Sequence, residues 1–177
     1  MNKWVKRGGI VVVALVVLAG GAVFAGLQMA DKRMQRTVDV KVQPVAYRSD
    51  AQSLERGRYL YNSRGCIDCH GDNGAGRTFV EDGAGLKIKG PNISPGPGNV
   101  IAAYQPQDWV RAIRHGVAPS GRPLMVMPSE DYNRFTDDDL ASLVAYVRSL
   151  APVQGTGAEV RLAVAARGAY GFGALRD

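Results

Sequence analysis

A short group of thiol and imidazole side chains constrains this chain more than any other feature of its sequence. Cys66 and Cys69 are its only two cysteines, and His70 follows directly. Two thiols about one helical turn apart can add to the two vinyl groups of one porphyrin, and the next histidine then lies beneath the iron. The sequence therefore predicts one covalently attached haem c on Cys66 and Cys69, with His70 as an axial ligand of the iron.

Other uses of two nearby cysteines fit this sequence less well. A structural zinc ion needs four ligands, and only His115 is left to complete a set with Cys66, Cys69 and His70. A thioredoxin-like redox pair would be expected in a βαβ setting, whereas here a helical segment leads into a glycine-rich loop. A disulfide between the two cysteines would explain neither the histidine nor that loop.

A long apolar segment near the N-terminus predicts contact with a membrane. Residues 8–30 carry no charge, and a helix of this length would be roughly 34 Å long, enough to cross a bilayer core. A helix buried in a soluble core would normally have a polar face, and here only Gln28 is polar. Three basic side chains precede the segment: Lys3, Lys6 and Arg7. They predict that residues 1–7 stay in the cytoplasm and that the following chain is exported.

The apolar segment has two possible fates. A cleaved signal peptide needs a shorter apolar core and a small-residue cleavage site, for which residues 23–25 are a weak candidate. The length of residues 8–30 favours a retained signal anchor. We therefore expect a single-pass protein of a bacterial inner membrane, with its haem domain on the periplasmic or outer side.

The positive charge of the chain does not predict a nucleic-acid partner. The formal net charge is +6, but residues 1–40 hold six basic and two acidic side chains, which leaves 16 basic and 14 acidic ones after them. The excess therefore lies beside the apolar segment, where cations meet anionic lipid headgroups. No basic stripe with interleaved aromatic residues is present, so nucleic-acid binding is not expected.

The rest of the chain divides into a tether (31–49), a haem domain (50–152) and a C-terminal extension (153–177), in which a short helix is possible at 158–167. Residues 71–100 are rich in glycine and proline and are expected to form a long functional loop. The domain is predicted to be all-α, from apolar periodicity and from capping and stop residues. Its expected helices are 50–64, 106–115 and 137–150.

The second axial ligand has three candidates. Only two methionines lie outside the anchor region, Met125 and Met127, and one of them is expected to reach the iron. Met127 is favoured because Pro128 stiffens the backbone beside it. The plain alternative is that both methionines fill gaps in the core. His115, at the end of a predicted helix, is the rival ligand.

Four segments together resemble the class I, mitochondrial-type cytochrome c family, from about Glu55 to Val153: GRYLYNSRGCIDCHG, GPNISPG, RAIRHGVAPSGRPL and MPSEDYNRFTDDDLASLVAYVRSLAPV. Within that family the chain is similar to membrane-associated bacterial cytochrome c subunits of alcohol and sugar-acid dehydrogenases. The N-terminal anchor and the short tail depart from the family pattern. Multi-haem subunits would carry further C-x-x-C-H motifs, and this chain has one.

The resemblance implies a helical fold around one haem. It implies that the N-terminal helix, with Gly57 and Tyr61, packs across the C-terminal one at Leu143 and Tyr146. It makes Met127 the sixth ligand of the iron. It also implies that the carbonyl of Pro91 orients the His70 ring, as partners of metal-bound histidines commonly do. The expected site thus consists of five residues: Cys66, Cys69, His70, Met127 and Pro91.

The expected function is the transfer of single electrons between membrane-associated or periplasmic redox proteins. The chain would then be a carrier or a subunit of a respiratory or photosynthetic electron-transfer chain, without catalytic residues of its own. The alternative is a haem enzyme or gas sensor with an open sixth position. That alternative requires Met127 to be absent from the iron.

Overall fold

The computed structural model describes residues 2–175, so Met1 and the last two residues of the predicted extension, Arg176 and Asp177, lie outside the described residues. The described chain forms two compact units, one of residues 2–35 and 163–175 and one of residues 36–162. The elements run in the order α1 (Lys3–Gln35), α2 (Ala51–Ser63), α3 (Cys66–His70), β1 (Thr78–Glu81), β2 (Lys87–Lys89), α4 (Pro106–His115), α5 (Ser129–Tyr132), α6 (Asp137–Ser149), β3 (Glu159–Arg161) and α7 (Val164–Gly171).

The three predicted helices of the haem domain are present as α2, α4 and α6, with ends that differ from the prediction by at most one residue. Local capping explains this agreement. The Asp50 carboxylate accepts the backbone N–H of Ser53 at 2.8 Å, and the Thr136 hydroxyl accepts that of Asp139 at 3.1 Å. Each bond satisfies a backbone donor that the first helical turn leaves without a partner.

The core of the larger unit forms where α2 packs against α6. Tyr61 and Tyr146 meet with ring centroids 5.4 Å apart. The helices approach so closely at Gly57 that a Cβ atom there would lie 2.0 Å from the Ser142 carbonyl oxygen. The expected packing of α2 on α6 is therefore present at Tyr146, and Leu143 is buried in the same core. Fully buried side chains fill the same core: Leu60, Tyr61, Leu140 and Val144.

The all-α expectation is incomplete, because the larger unit also contains a three-stranded antiparallel sheet in the order β1-β2-β3. Strands β1 and β2 form a hairpin inside the predicted loop 71–100, where the Asp82 carboxylate accepts the backbone N–H groups of Ala84 and Leu86. The possible helix at 158–167 is wrong in its first half, since β3 occupies Glu159–Arg161 and α7 begins at Val164. These strands of three or four residues are too short to show a period of two.

Residues 31–49 were expected to be a tether, but residues 31–35 belong to α1 and residues 36–49 pack on the larger unit. Val45 is 5% exposed within the core, and the backbone N–H of Val38 donates to the Gly121 carbonyl at 2.8 Å. The Arg111 guanidinium donates to the Val40 carbonyl at 3.1 Å. Alternation of half-buried valines with exposed polar residues along 37–42 is the sequence signal of this extended segment. A fragment beginning at Ala51 would therefore lose part of its core.

The smaller unit consists of α1 and α7. Helix α1 is the one helix among the described residues that is long and apolar enough to span a membrane. Most of its side chains are exposed, and the two buried residues, Gly26 and Ala30, lie near its C-terminal end. Helix α7, from the predicted extension, packs against that end.

Candidate haem site

Helix α3 places the cysteines and the histidine on little more than one helical turn. Gly65, with a φ of 78°, separates α3 from α2 in a left-handed conformation that glycine adopts without strain. The Tyr61 hydroxyl donates to the Gly71 carbonyl just after α3, so a core side chain holds the C-terminal end of this turn. Cys66, Cys69 and His70 are all half-buried. This is the spacing that two vinyl groups and one iron of the same porphyrin require.

The His70 ring is fixed by the residue that the resemblance indicated. Its Nδ1 atom lies 3.0 Å from the Pro91 carbonyl oxygen. A carbonyl oxygen only accepts, so Nδ1 carries the proton and Nε2 keeps its lone pair. Burial lowers the pKa of His70, and the Pro91 hydrogen bond opposes that shift in part. The ring is thus held in the neutral tautomer that binds a metal through Nε2.

The Pro91 carbonyl is held by a buried amide network. The Asn92 side chain is 1% exposed, donates to the Val153 carbonyl at 2.8 Å and accepts the backbone N–H of Ser94 at 2.8 Å. On the other side of Pro91, a Cβ atom at Gly90 would lie 2.0 Å from the Cys69 carbonyl oxygen. The loop before and after Pro91 is therefore anchored to α3 and to the chain beyond α6.

Removal of this network should loosen the His70 support. Asn92→Leu keeps a similar volume but removes three bonds of 2.8 Å, namely the one donated to the Val153 carbonyl and those accepted from the Ser94 backbone N–H and hydroxyl. Only longer bonds remain, from the Ser94 N–H to the Gly74 carbonyl at 3.2 Å and from the Ser94 hydroxyl to the Val153 carbonyl at 3.5 Å. We expect a loss of about 1–3 kcal/mol in the free energy of unfolding, because these bonds replace the lost ones only in part. Urea unfolding followed by circular dichroism measures it. Asn62→Leu, at an exposed α2 position, is the matched control and should change little. An equal effect of both substitutions would contradict this role.

The thiols are better suited to thioether bonds than to a thiolate metal site. Burial raises the pKa of Cys66 to about 11 and also raises that of Cys69. Zinc sites need the thiolate form, and burial of these sulfurs disfavours it. Among the described residues no group of three or more potential ligands is arranged to hold a metal ion. A thioether is uncharged, so the same burial does not oppose it.

The methionine segment lies between α4 and α5. The backbone turns back at the Val117–Pro123 bridge, and the Leu124 N–H donates to the Gly116 carbonyl at 2.6 Å. Met127 packs against the hydrophobic cluster of the larger unit, as do Cys66 and Ile67. Met125 is also half-buried but is not part of that packing. Met127 thus packs against the same cluster as Cys66 and Ile67 of α3, and this difference favours it over Met125.

Tyr132 connects the methionine segment to α3, and the sequence interpretation missed it. Its hydroxyl donates to the Arg64 carbonyl at 2.8 Å and lies near the Cys66 thiol. The Ser129 N–H donates to the Met127 carbonyl at 2.8 Å, so α5 is joined directly to the methionine. A proline followed by Ser-Glu-Asp is a typical helix start and was the available signal for α5.

The remaining candidate, His115, is exposed at the C-terminal end of α4. Its position agrees with the plain interpretation of a helix-end histidine.

The donor set fits a haem c. Helix α3, called the attachment turn below, offers two thiols and a neutral imidazole. The neighbouring hydrophobic cluster is apolar, as a porphyrin ring requires. Three buried donor atoms lack a partner among the described residues, and one of them, the Trp109 indole Nε1, belongs to the same hydrophobic cluster, where this side chain is only 5% exposed. A haem brings carboxylate acceptors as well as an apolar ring, so the surroundings contain no feature that conflicts with this cofactor.

Comparison with known families decides the relationship. Residues 52–147, more than half of the chain, match the family described as cytochrome c oxidase, cbb3-type, subunit III. The chain belongs to this family. The matched stretch contains every residue of the expected site.

Curated relatives agree with this membership. The chain is 33% identical over 111 residues to the fructose dehydrogenase cytochrome subunit of Gluconobacter japonicus, covering 59% of this chain and 23% of the relative. It is 35% identical over 109 residues to the gluconate 2-dehydrogenase cytochrome c subunit of Pantoea cypripedii, covering 56% and 24%. The expected resemblance to cytochrome c subunits of dehydrogenases is confirmed.

A third relative carries the family name itself. The Cbb3-type cytochrome c oxidase subunit CcoP of Helicobacter pylori (strain 52) is 25% identical over 128 residues, covering 70% of this chain and 37% of that protein. The chain spans less than a quarter of the length of the two dehydrogenase subunits and little more than a third of this oxidase subunit. The similarity therefore concerns one cytochrome c domain within longer relatives.

Proposed function

We propose that this protein is a membrane-anchored cytochrome c with one haem, which transfers single electrons and catalyses no reaction alone. The observation that carries the proposal is the His70 ring. Its Nδ1 is bonded to the Pro91 carbonyl, and it lies beside two thiols on one short helix. Membership of a cytochrome c family supports the same assignment.

Each residue of the site has a separate role in this proposal. Cys66 and Cys69 would hold the cofactor by thioether bonds, and His70 would bind the iron through Nε2 while Pro91 fixes its ring. Met127 would be the second protein ligand of the iron. The haem would supply the one-electron Fe(III)/Fe(II) couple, and methionine ligation would raise its potential. An iron held by both residues would have no position open for a substrate, which favours a carrier over a haem enzyme or gas sensor.

The partners follow from the names of the relatives and from the charge of the domain. The relatives are cytochrome subunits of fructose, gluconate and alcohol dehydrogenases, so we propose a membrane-associated or periplasmic redox protein of a respiratory chain as donor. From residue 41 onwards the chain has 16 basic and 14 acidic residues, so its net charge would contribute little long-range steering. Attachment to the same membrane would instead raise the effective concentration of the partners.

Membrane attachment is assigned to α1. Its uncharged residues 8–30 would cross the inner membrane once, with the N-terminus in the cytoplasm and the haem unit on the periplasmic side. Haem attachment of this type takes place outside the cytoplasm, which supports that orientation.

Covalent attachment is the direct test of the proposal. Acid–acetone extraction of the purified protein is expected to leave the haem absorbance on the polypeptide, because thioether bonds survive this treatment. The double variant Cys66→Ala/Cys69→Ala should release it or accumulate without haem. In addition, carbon monoxide should leave the spectrum of the reduced protein unchanged. Haem that moves wholly into the solvent would refute the attachment, and a carbon monoxide complex would favour the open-site alternative.

A further inference from the structure

The C-terminal helix α7 meets α1 backbone to backbone. A Cβ atom at Gly171 would lie 1.9 Å from the Gly26 carbonyl oxygen, and one at Gly26 would lie 2.7 Å from the Phe172 ring. Gly171 could not hold a side chain without moving the helices apart, because its nearest neighbours are backbone atoms of α1. This contact is the reason that Gly26 and Ala30 are buried while the rest of the uncharged run of α1 is largely exposed.

The contact lies inside the apolar run and not beyond it. The uncharged run ends at Ala30, so Gly26 lies about 6 Å inside its end at the helical rise per residue. If α1 crosses a bilayer, Gly171 and Phe172 must therefore lie at the boundary between acyl chains and headgroups. The depth of α7 is thus set by the depth of α1.

Two charged side chains of α1 at this level contact α7. Asp31, the first charged residue after the run, forms an ion pair with Arg167 of α7. Arg33 places its guanidinium 4.5 Å from the centroid of the Tyr170 ring and donates to the Tyr170 carbonyl. Arg167 is the one charged residue in 164–175. The segment therefore carries no unpaired charge that would hold it in water.

Three large apolar side chains of this segment are exposed. Val164 is 62% exposed, Phe172 57% and Leu175 42%. Val164 begins α7, and Phe172 and Leu175 follow its end, so exposed apolar side chains lie at both ends of a short helix with almost no charge. Such segments are typical of a membrane interface.

We propose that residues 164–175 form an interfacial segment, clamped on α1, whose Val164, Phe172 and Leu175 side chains contact lipid. The occupant of this apolar face is the bilayer and not a protein partner, because the face continues from the proposed membrane-spanning helix. The inference rests on the proposed anchor. It adds a second lipid contact that fixes the angle and depth of the first.

Depth-dependent quenching tests the proposal in the full-length haem protein. Phe172→Cys and Leu175→Cys each introduce one free cysteine, which is labelled with a fluorophore. The labelled proteins are placed in phosphatidylcholine vesicles that contain nitroxide lipids. The parent chain, treated in the same way, shows how much label binds without the new cysteine. Val16→Cys is the reference inside the membrane, and Ser63→Cys, exposed on α2, is the reference in water. The haem quenches each label equally with and without nitroxide lipids, so the ratio of the two fluorescence intensities is free of its contribution. We expect shallow nitroxides to quench labels at 172 and 175, and deep nitroxides to quench the label at 16.

Two glycine variants test the clamp. Gly171→Leu should lower quenching at the Leu175→Cys label to the level of the water reference while leaving quenching at Val16→Cys intact. Gly168→Leu is the matched control, because a Cβ atom at that position of α7 meets nothing within 4 Å. If the labels at 172 and 175 are as weakly quenched as Ser63→Cys while Val16→Cys is quenched, the interfacial segment is refuted and the anchor stands. If Val16→Cys is not quenched, the anchor itself is refuted. If quenching at 175 is unchanged in Gly171→Leu, the clamp is refuted.

Discussion

Replacing Met127 with alanine is expected to lower the reduction potential by on the order of 0.1 V or more, within the range over which axial ligands set haem potentials. The thioether sulfur stabilises the ferrous state, so its loss favours ferric iron. The absorption band from methionine–iron charge transfer should disappear at the same time. Redox titration and near-infrared spectroscopy of the purified protein measure the two effects.

Met125→Ala is the matched control for that experiment. Met125 is half-buried two residues away and lies outside the cluster that contacts Cys66 and Met127. Its removal should leave both the band and the potential near their original values. The opposite pattern would show that Met125 is the ligand, and no change in either variant would return His115 or an open position to consideration.

Gly57→Val is expected to cost about 3 kcal/mol or more in the free energy of unfolding, at the upper end of the range for overpacked cores. A Cβ atom at Gly57 would lie 2.0 Å from the Ser142 carbonyl oxygen and 2.7 Å from the Tyr146 Cβ atom. Neither the backbone of α6 nor the Tyr146 Cβ atom can move aside without a shift of the whole helix. Helices α2 and α6 would separate, and the Tyr61–Tyr146 ring contact would be lost.

Arg58→Val places the same side chain on the exposed face of the same helix and controls for helix propensity. It should cost roughly 0.5 kcal/mol. Chemical unfolding of both variants in detergent, followed by circular dichroism, gives the comparison. A Gly57→Val protein as stable as Arg58→Val would mean that the helices do not pack this closely in solution.

Much of the site could be predicted from local sequence. Helices α2, α4 and α6 are long enough to show apolar periodicity and carry their own capping residues, such as Asp50 and Thr136. The attachment turn is local as well, because one helical turn sets the spacing of Cys66 and Cys69. The partner of His70 is not local. Pro91 was indicated by family resemblance and not by any pattern within the chain.

Tertiary contacts decided the rest. Strand β3 pairs with β2 across about seventy residues, and no local pattern records such a partner. The valines of 36–49 alternate visibly, but only packing shows that Val45 enters the core and that the segment is not a free tether. Tyr132 could be recognised as part of the site only once α5 lay against Cys66.

The two ends of the chain show the same division. The sequence by itself determined that residues 8–30 form one long apolar helix, because length and absence of charge are sufficient for that conclusion. Only the tertiary structure showed that Gly171 packs against Gly26 and that Arg167 pairs with Asp31. Nothing in the local sequence around any of these residues indicates a partner more than a hundred residues away. Composition and spacing determine helices and attachment chemistry, which are local. The three-dimensional path of the backbone decides which distant residues become neighbours.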